Sequence, residues 1–163
     1  MLALRYIALL ALVLWIGGLV ALGGFAAPAI FGVIGARDPA GGRLLAGAVF
    51  GETLGRFFLL TYAAGAILLL AMIARAVLGP RPRRFAWRAG LACVMLLSTL
   101  YSGLVLVREI DGVQAQIGDR APSSLPADNP LRLEFGRLHA ATSGLQVVPL
   151  LGGLALLYWE AKE

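Results

Sequence analysis

Residues 138–159 read "LHAATSGLQVVPLLGGLALLYW", and this stretch indicates the fold because it is long and apolar enough to cross a bilayer. Its first third nevertheless carries hydrogen-bonding side chains at positions i, i+3, i+4 and i+7, namely His139, Thr142, Ser143 and Gln146. That spacing places the four on one face of an α-helix. Since lipid cannot satisfy such groups, we expect this polar stripe to face the interior of a helical bundle.

The composition of the whole chain supports a membrane protein. The 163 residues are 60% hydrophobic and only 14% charged, whereas a soluble domain carries about a quarter charged residues. The net charge of +5 does not imply nucleic acid, because several arginines cluster in one short loop, where anionic lipid headgroups are the simpler explanation. The single cysteine, Cys93, excludes a disulfide framework and a CxxC metal motif.

Four apolar segments predict an all-α, integral membrane four-helix bundle formed by one transmembrane domain over residues 1–163. The expected crossings are approximately residues 6–34, 53–78, 87–108 and 138–159. The expected outer loops are approximately residues 35–52 and 109–137. A signal peptide is the alternative for the first segment. That segment is about twice as long as the usual 7–15-residue signal core, and Pro28 lies where cleavage would be expected. We therefore interpret it as a retained helix.

The arginine pattern predicts the orientation. The loop "GPRPRRFAWR" (79–88) carries Arg81, Arg83, Arg84 and Arg88 within eight residues. The positive-inside rule places this loop, and with it both termini, in the cytoplasm. Over the whole chain the 14 Lys and Arg divide equally between the two sides. The predicted orientation therefore depends on the density of arginines in this short loop. The aromatic residues Trp87, Tyr158 and Trp159 then lie at the inner interface.

Two outer loops contain helix-start signals. In "RDPAGG", Asp38 is expected to cap a helix that begins with Pro39 and leads into the second segment. The stretch "GDRAPSSLPADNP" (118–130) breaks regular structure. Asn129 and Pro130 at its end then begin a helix that leads into the fourth segment.

Polar side chains on the second and third segments are expected to meet the stripe of the fourth. They are Ser98, Tyr101, Ser102, Arg108 and Glu109 on the third segment and the i, i+4 pair Glu52 and Arg56 on the second. These groups converge on the outer half of the bundle, while the inner half is apolar. Pro149 cannot donate to the Leu145 carbonyl, which leaves an acceptor beside Gln146. We therefore predict an outward-facing polar pocket between the second, third and fourth helices.

Simpler interpretations stay open for these residues. Serine and threonine in membrane helices commonly bond to backbone or to a neighbouring helix, and this interpretation is favoured for Ser98, Thr99, Ser102, Thr142 and Ser143. The charged residues can extend to the interface as isolated solvated groups. His139 can be a solvated histidine at a helix start, whereas Gln146 lies about two turns deeper and is the hardest to explain this way.

The first segment has no charge between Arg5 and Arg37 and is rich in small residues. The residues expected to pack against a neighbouring helix are Gly17, Gly18, Ala21 and Gly24. Packing within the bundle is the default interpretation, and dimerisation is the alternative. Pro28 is expected to kink the outer end of this helix.

Three stretches together resemble the transmembrane protein 205-like family, in particular its bacterial branch of unknown function. They are "LWIGGLVALGGFAAPAIF" (14–31), "AGAVFGETLGRFFLL" (46–60) and "EFGRLHAATSGLQVVPLLGG" (134–153). The matching positions are Trp15, Gly17, Gly18, Pro28, Ala46, Gly47, Phe57, Leu138, His139 and Ser143. The resemblance implies a four-helix protein of the bacterial inner membrane. Animal members are associated with drug resistance and secretory traffic. Where the family has an asparagine in the last helix, this chain has Gln146.

Three functions follow as hypotheses. The first is non-enzymatic handling or transport of a small solute or ion through the polar pocket. A single copy is too thin for a wide pathway, so transport is expected to need a homo-oligomer. The second is a structural or assembly subunit of a larger membrane complex. The third is a redox or copper-handling protein, for which Cys93, Met95 and Met72 are the soft ligands available.

Catalysis and cofactor binding have no support in the sequence. There is no GxSxG, HExxH or P-loop motif and no pair of intramembrane carboxylates. A bis-histidine haem needs two imidazoles, and His139 is the only histidine. We therefore predict no catalytic residue, no metal site and no cofactor, and the expected partners are the lipid bilayer and an unknown small solute.

Overall fold

The structure, a computed structural model, describes residues 2–39, 41–79, 81 and 83–162, and within them all regular secondary structure is helical. The elements in chain order are α1 (Leu2–Ala21), a π-helical segment (Leu22–Ala26), α2 (Ala27–Arg37), α3 (Gly42–Leu78), α4 (Phe85–Tyr101), a second π-helical segment (Ser102–Leu106), α5 (Val107–Ile117), a 3-10 turn (Pro122–Ser124), α6 (Pro130–Leu145) and α7 (Val147–Ala161).

These elements form four spans that are long and apolar enough to cross a membrane, namely Leu2–Arg37, Gly42–Leu78, Phe85–Ile117 and Pro130–Ala161. The predicted all-α class with four crossings is confirmed. We call the end with Arg5, residues 79–84 and Glu160 the terminal end, and the end with residues 38–41 and 118–129 the distal end. The side of the membrane on which the terminal end lies stays a prediction.

One of the two predicted helix starts is present and the other is shifted. The Asn129 side chain accepts hydrogen bonds from the Leu131 and Arg132 amides, so Asn129 caps α6 with Pro130 in the first turn. Asp38 instead follows the end of α2, and its carboxylate accepts a 2.9 Å bond from the Gly41 amide. The carboxylate therefore stabilises the turn between two helices, and α3 begins only at Gly42.

The best-packed core lies in the terminal half of the bundle, where all four spans contribute. Trp15, Leu68, Met95 and Leu156 are each almost fully buried there. A Cβ on Gly65 would lie 2.7 Å from Leu96 Cδ1 and 3.0 Å from the Trp15 ring, so the missing side chain permits this close approach. Because lipid tails are as apolar as leucine, tight van der Waals packing is what favours helix association here.

Of the small residues predicted to pack the first span, one makes a close helix contact. A Cβ on Gly18 would overlap the Phe57 ring of α3. Gly17, Ala21 and Gly24 are exposed, and a Cβ on either Gly17 or Gly24 would meet no atom within 4 Å. These three residues face away from the bundle.

At the distal end the bundle divides into two helix pairs. In one pair, α2 packs along the beginning of α3, with the Phe31 and Phe50 ring centroids 6.2 Å apart. The other pair, α5 and α6, has its own small core, which consists of Val113, Ile117, Leu125, Leu131, Phe135 and Leu138. Arg132 Nη1 donates to the Leu125 carbonyl and fixes the intervening loop onto this pair.

Charged residues on three spans mark where the hydrocarbon can lie. Arg75 and Arg56 are separated by about 28 Å along α3, and Arg88 and Arg108 by about 30 Å along the third span, at 1.5 Å per residue. On the fourth span, Glu160 and His139 are about 31 Å apart by the same measure. These spacings match a hydrocarbon core of about 30 Å. With the hydrocarbon placed between these levels, the distal parts of α3, α5 and α6 are expected to project beyond it.

Candidate functional site

Two residues predicted for the polar pocket, Ser102 and Gln146, meet between the third and fourth spans. Ser102 is fully buried, and its hydroxyl accepts a 3.5 Å hydrogen bond from Gln146 Nε2. Thr142, one turn before Gln146, is also buried, and its hydroxyl donates to the Leu138 carbonyl at 2.9 Å. The sequence pattern thus identified a real interhelical polar contact, although it joins two of the three expected spans.

The interior-facing stripe predicted for the fourth span holds for Thr142 and Gln146 but not for His139 and Ser143, which are exposed. His139 stacks on Phe135, one turn earlier, with ring centroids 6.2 Å apart. With the hydrocarbon placed between the charged levels described above, His139 would lie at its edge, where water would satisfy the exposed imidazole. Tyr101 is likewise exposed.

Several hydroxyls follow the simpler interpretation. Ser98 and Thr99 both donate to the Met95 carbonyl, each at 2.9 Å. These local bonds satisfy the hydroxyls within their own helix.

The four charged candidates lie on the surface. Glu52 Oε1 accepts a 2.9 Å bond from Arg56 Nε, and both side chains are more than two-thirds exposed (69% and 79%). Arg108 and Glu109 are exposed at the same level of the third span. The predicted single pocket is therefore divided into a buried polar contact and a solvated charged rim.

The distal division of the bundle leaves a cleft between α3 and α5. Its outer part is an open surface depression of about 450 Å³, lined by Leu44 of α3 together with Asp111, Gln114, Ala115, Gly118 and Asp119. Deeper along the bundle α3 touches the second π-helical segment, and we call this contact the floor of the cleft. There a Cβ on Gly103 would overlap the Tyr62 hydroxyl and lie 2.9 Å from Phe58 Cγ.

One face of α3 forms the wall between the outer part of this cleft and its floor, and the middle of this face consists of small residues. Leu44, Ala48, Gly51, Gly55 and Phe58 follow one helical face at spacings of three and four residues. Leu44, at one end of this face, lines the depression together with α5, and Phe58, at the other end, contacts the second π-helical segment. The residues between them on the same face therefore also face α5. A Cβ on Gly51 or Gly55 would meet no atom within 4 Å. This wall is therefore open, with backbone accessible along it.

A second groove lies on α3 next to this wall. It has a volume of about 540 Å³ and is lined by Ala48, Val49, Glu52, Thr53 and Arg56. Ala48, which we place in the α3 wall by its position on the helix, also lines this groove. The Glu52–Arg56 pair lies in this second groove, beside the α3 wall. Ser102, which makes the buried contact, directly precedes Gly103 of the floor in the sequence.

A buried ion cluster at the terminal end was missed by the sequence reasoning. Glu160, on α7, is only 4% exposed and forms salt bridges with an arginine from each of the other three spans. Arg75 Nη1 contacts both carboxylate oxygens, at 2.9 and 3.0 Å. Arg88, 2% exposed, donates to Oε1, and Arg5 donates to the Glu160 carbonyl.

This cluster connects all four spans at one level. Removing charged groups from water costs several kcal/mol each unless they are paired with good geometry. Glu160 supplies a carboxylate partner to Arg75 and Arg88 together. A signal was available in the sequence: apart from Glu163, Glu160 is the only acid among the segments that form the terminal end, which carry seven Lys and Arg.

Within the described part of the chain, no group of three His, Cys, Asp or Glu residues could hold a metal ion. The soft side chains do not converge either. Cys93 is exposed, whereas Met95 and Met72 are buried in the terminal core.

The sequence profile of one family matches this chain. It is the profile of a domain of unknown function, DUF4149, and it covers residues 10–119. The match includes α3, α5 and the floor of the cleft but leaves the fourth span outside. A search of curated proteins and a search of solved structures gave no match.

Proposed function

We propose that this chain, which belongs to the family of the domain of unknown function DUF4149, binds a small polar solute in the cleft between α3 and α5. The proposal is non-enzymatic handling of the solute at the outer face of the bacterial inner membrane. The observation that carries it is the cleft itself, whose α3 wall is open at Gly51 and Gly55 and whose opposite wall bears Asp111 and Gln114.

The proposed orientation follows from the arginines of residues 81–88, which favour a cytoplasmic terminal end. The cleft then opens to the outside, beyond the level of Arg56 and Arg108. A solute there meets carboxylate and guanidinium groups and the Gln114 amide oxygen, a set suited to a small molecule that carries both charge and hydrogen-bonding groups.

Transport would be a further step from the same site. The buried Ser102–Gln146 contact lies behind the floor, and the tight terminal core and the Glu160 cluster close the inner side. These features support a bundle that is open outward and closed inward. One four-helix chain offers little room for a wide pathway, so we expect transport to involve a homo-oligomer.

The test fills the cleft without disturbing the core. Gly51→Leu together with Gly55→Leu places two side chains in the open space in front of α3. Purified protein is screened by thermal unfolding against a panel of amino acids, small carboxylates and small amines. We expect at least one solute to raise the Tm of the wild type and to lose this effect in the filled variant.

Gly90→Leu is the matched control, because Gly90 is also an exposed helical glycine with open space around it. It is expected to leave the solute effect unchanged. If the solute stabilises the filled variant as strongly as the wild type, the cleft is not the binding site.

The likeness to the transmembrane protein 205-like family belongs to this proposal as well. It rests on the quoted stretches of the first, second and fourth spans, and it supports a membrane protein without assigning a solute.

A second candidate function, an assembly subunit, is favoured by the large apolar side chains exposed near the distal end. These are Phe25, Phe31, Val33, Leu45 and Val49. Crosslinking in mild detergent separates the two: a reproducible different partner favours assembly, and a homo-oligomer favours transport.

A further inference from the structure

The terminal end of the bundle carries a strong excess of positive charge. Its basic residues are Arg5, Arg75, Arg81, Arg83, Arg84, Arg88 and Lys162, and its acids are Glu160 and Glu163. The excess follows from the sequence count, because the segments that form this end contain seven Lys and Arg but two acids.

The basic residues divide into a buried set and an exposed set. Arg75 and Arg88 are held by Glu160, and their side chains are 11% and 2% exposed. Arg81, Arg83 and Arg84 are exposed, in the connection between α3 and α4. The internal acid of this end is therefore already engaged, and the positive charge of the connection is directed outward.

The aromatic residues at this end indicate the depth of the exposed arginines. Tyr6, Trp87 and Tyr158 are 66%, 78% and 57% exposed. Tyrosine and tryptophan that are exposed at the end of a membrane span are typical of the headgroup boundary. The Lys162 ammonium lies 4.5 Å from the centre of the Tyr158 ring, which holds another cation at this level. The basic connection thus lies where lipid phosphates are.

We propose that the exposed arginines Arg81, Arg83 and Arg84 bind the headgroups of anionic phospholipids. The partner is a lipid of the surrounding leaflet whose phosphodiester carries a net negative charge, such as phosphatidylglycerol. Guanidinium groups donate paired hydrogen bonds to phosphate oxygens. A lipid is favoured over a soluble anion because the arginines lie beside the aromatic boundary, where the local concentration of headgroups is high. This inference does not depend on the solute proposed for the cleft.

The experiment uses the full chain in vesicles of phosphatidylcholine with increasing phosphatidylglycerol at constant total lipid. The readout is the Tm, which rises when a lipid binds the folded state preferentially. In Arg81→Gln/Arg83→Gln/Arg84→Gln, we expect the phosphatidylglycerol fraction at half of the maximal rise to increase about tenfold or more, since each basic residue near an anionic surface contributes appreciably.

Two further variants separate a local site from general electrostatics. Arg37→Gln/Arg43→Gln/Arg120→Gln removes the same charge from three exposed arginines of the distal end, and it is expected to behave as the wild type. Arg81→Lys/Arg83→Lys/Arg84→Lys keeps the charge but loses the paired hydrogen bonds, so it is expected to lose less of the lipid effect than the glutamine variant and more than the distal control. A wild-type Tm of this variant in pure phosphatidylcholine shows that substitution of this connection permits folding.

Three results would overturn the proposal. The first is an unchanged phosphatidylglycerol effect in the loop glutamine variant. The second is an equal loss in the distal control, which would indicate net charge alone. The third is an equal rise of the Tm with inorganic phosphate in pure phosphatidylcholine vesicles, which would indicate a site for free anions instead of lipid.

Discussion

At the scale of single residues, Glu160 has the largest structural role among the ionisable groups. Its carboxylate and carbonyl oxygens accept hydrogen bonds from three arginines that come from three different spans. If Glu160 is removed, Arg75 and Arg88 keep their buried positions without this carboxylate. Loss of one member of a buried ion pair is strongly destabilising, because the remaining charge stays desolvated.

Glu160→Ala is therefore expected to lower the free energy of unfolding by about 3–5 kcal/mol, as measured by titration with a denaturing detergent. Gln146→Leu is the comparison, because it also removes a polar side chain that bonds to another span. A single interhelical hydrogen bond in a membrane is worth about 1 kcal/mol or less, so this variant should remain close to the wild type. Equal effects of the two substitutions would contradict the role assigned to the ion cluster.

The sequence predicted some of these residues and missed others for physical reasons. Polar side chains within an apolar span are conspicuous, so Gln146, Ser102 and Thr142 were identified. Glu160 follows the last apolar residues and looks like an ordinary interfacial charge; its burial depends on three arginines that are distant in sequence. Tyr62 was missed because an aromatic ring in a span does not reveal that its hydroxyl lies over Gly103.

At the scale of helices, irregular turns occur at a similar depth in three spans. The π-helical segments Leu22–Ala26 and Ser102–Leu106 and the break at Gln146 all lie beyond the terminal core. Pro28 and Pro149 explain two of them in part, because each removes the amide that would bond to the carbonyl four residues earlier. The kink predicted near Pro28 thus corresponds to a π-helical turn just before it.

The contact at Gly103 makes a specific prediction at this scale. Gly103→Ala places a Cβ against the Tyr62 hydroxyl and the Phe58 ring, so we expect it to lower the free energy of unfolding by about 1–3 kcal/mol. Tyr62→Phe removes the overlapping oxygen. In the double variant, part of the lost free energy of unfolding should be recovered, as measured by the same detergent titration. Strict additivity of the two substitutions would show that α3 and this segment are not in contact.

The helix limits were predictable where a local signal fixes them. Asn129 and Pro130 begin α6 as expected, because a capping side chain acts on the next two or three amides. Hydropathy identifies the apolar crossing and not the helix that continues outside it. The third span therefore extends to Ile117, beyond the predicted crossing, and its last residues are held by packing against α6.

At the scale of the whole molecule, the two ends of the bundle differ. The terminal end is closed by a core shared by all four spans and by the Glu160 cluster. The distal end divides into two pairs with a cleft between them. The sequence predicted polarity on the distal side, but it could not show the division, because which helices separate depends on contacts such as Gly103 with Phe58 and Tyr62.

The position of the cleft relative to the hydrocarbon tests the central claim most directly. Spin labels are attached to single cysteines introduced in a Cys93→Ser background. One cysteine replaces Ala48, in the cleft wall. The other replaces Ile67, an exposed residue about 12 Å from Arg75 along α3. Relaxation by a water-soluble nickel complex is compared with relaxation by oxygen in reconstituted vesicles. We predict that nickel dominates at residue 48 and oxygen at residue 67; oxygen dominance at residue 48 would place the cleft in lipid and contradict an outward-facing aqueous site.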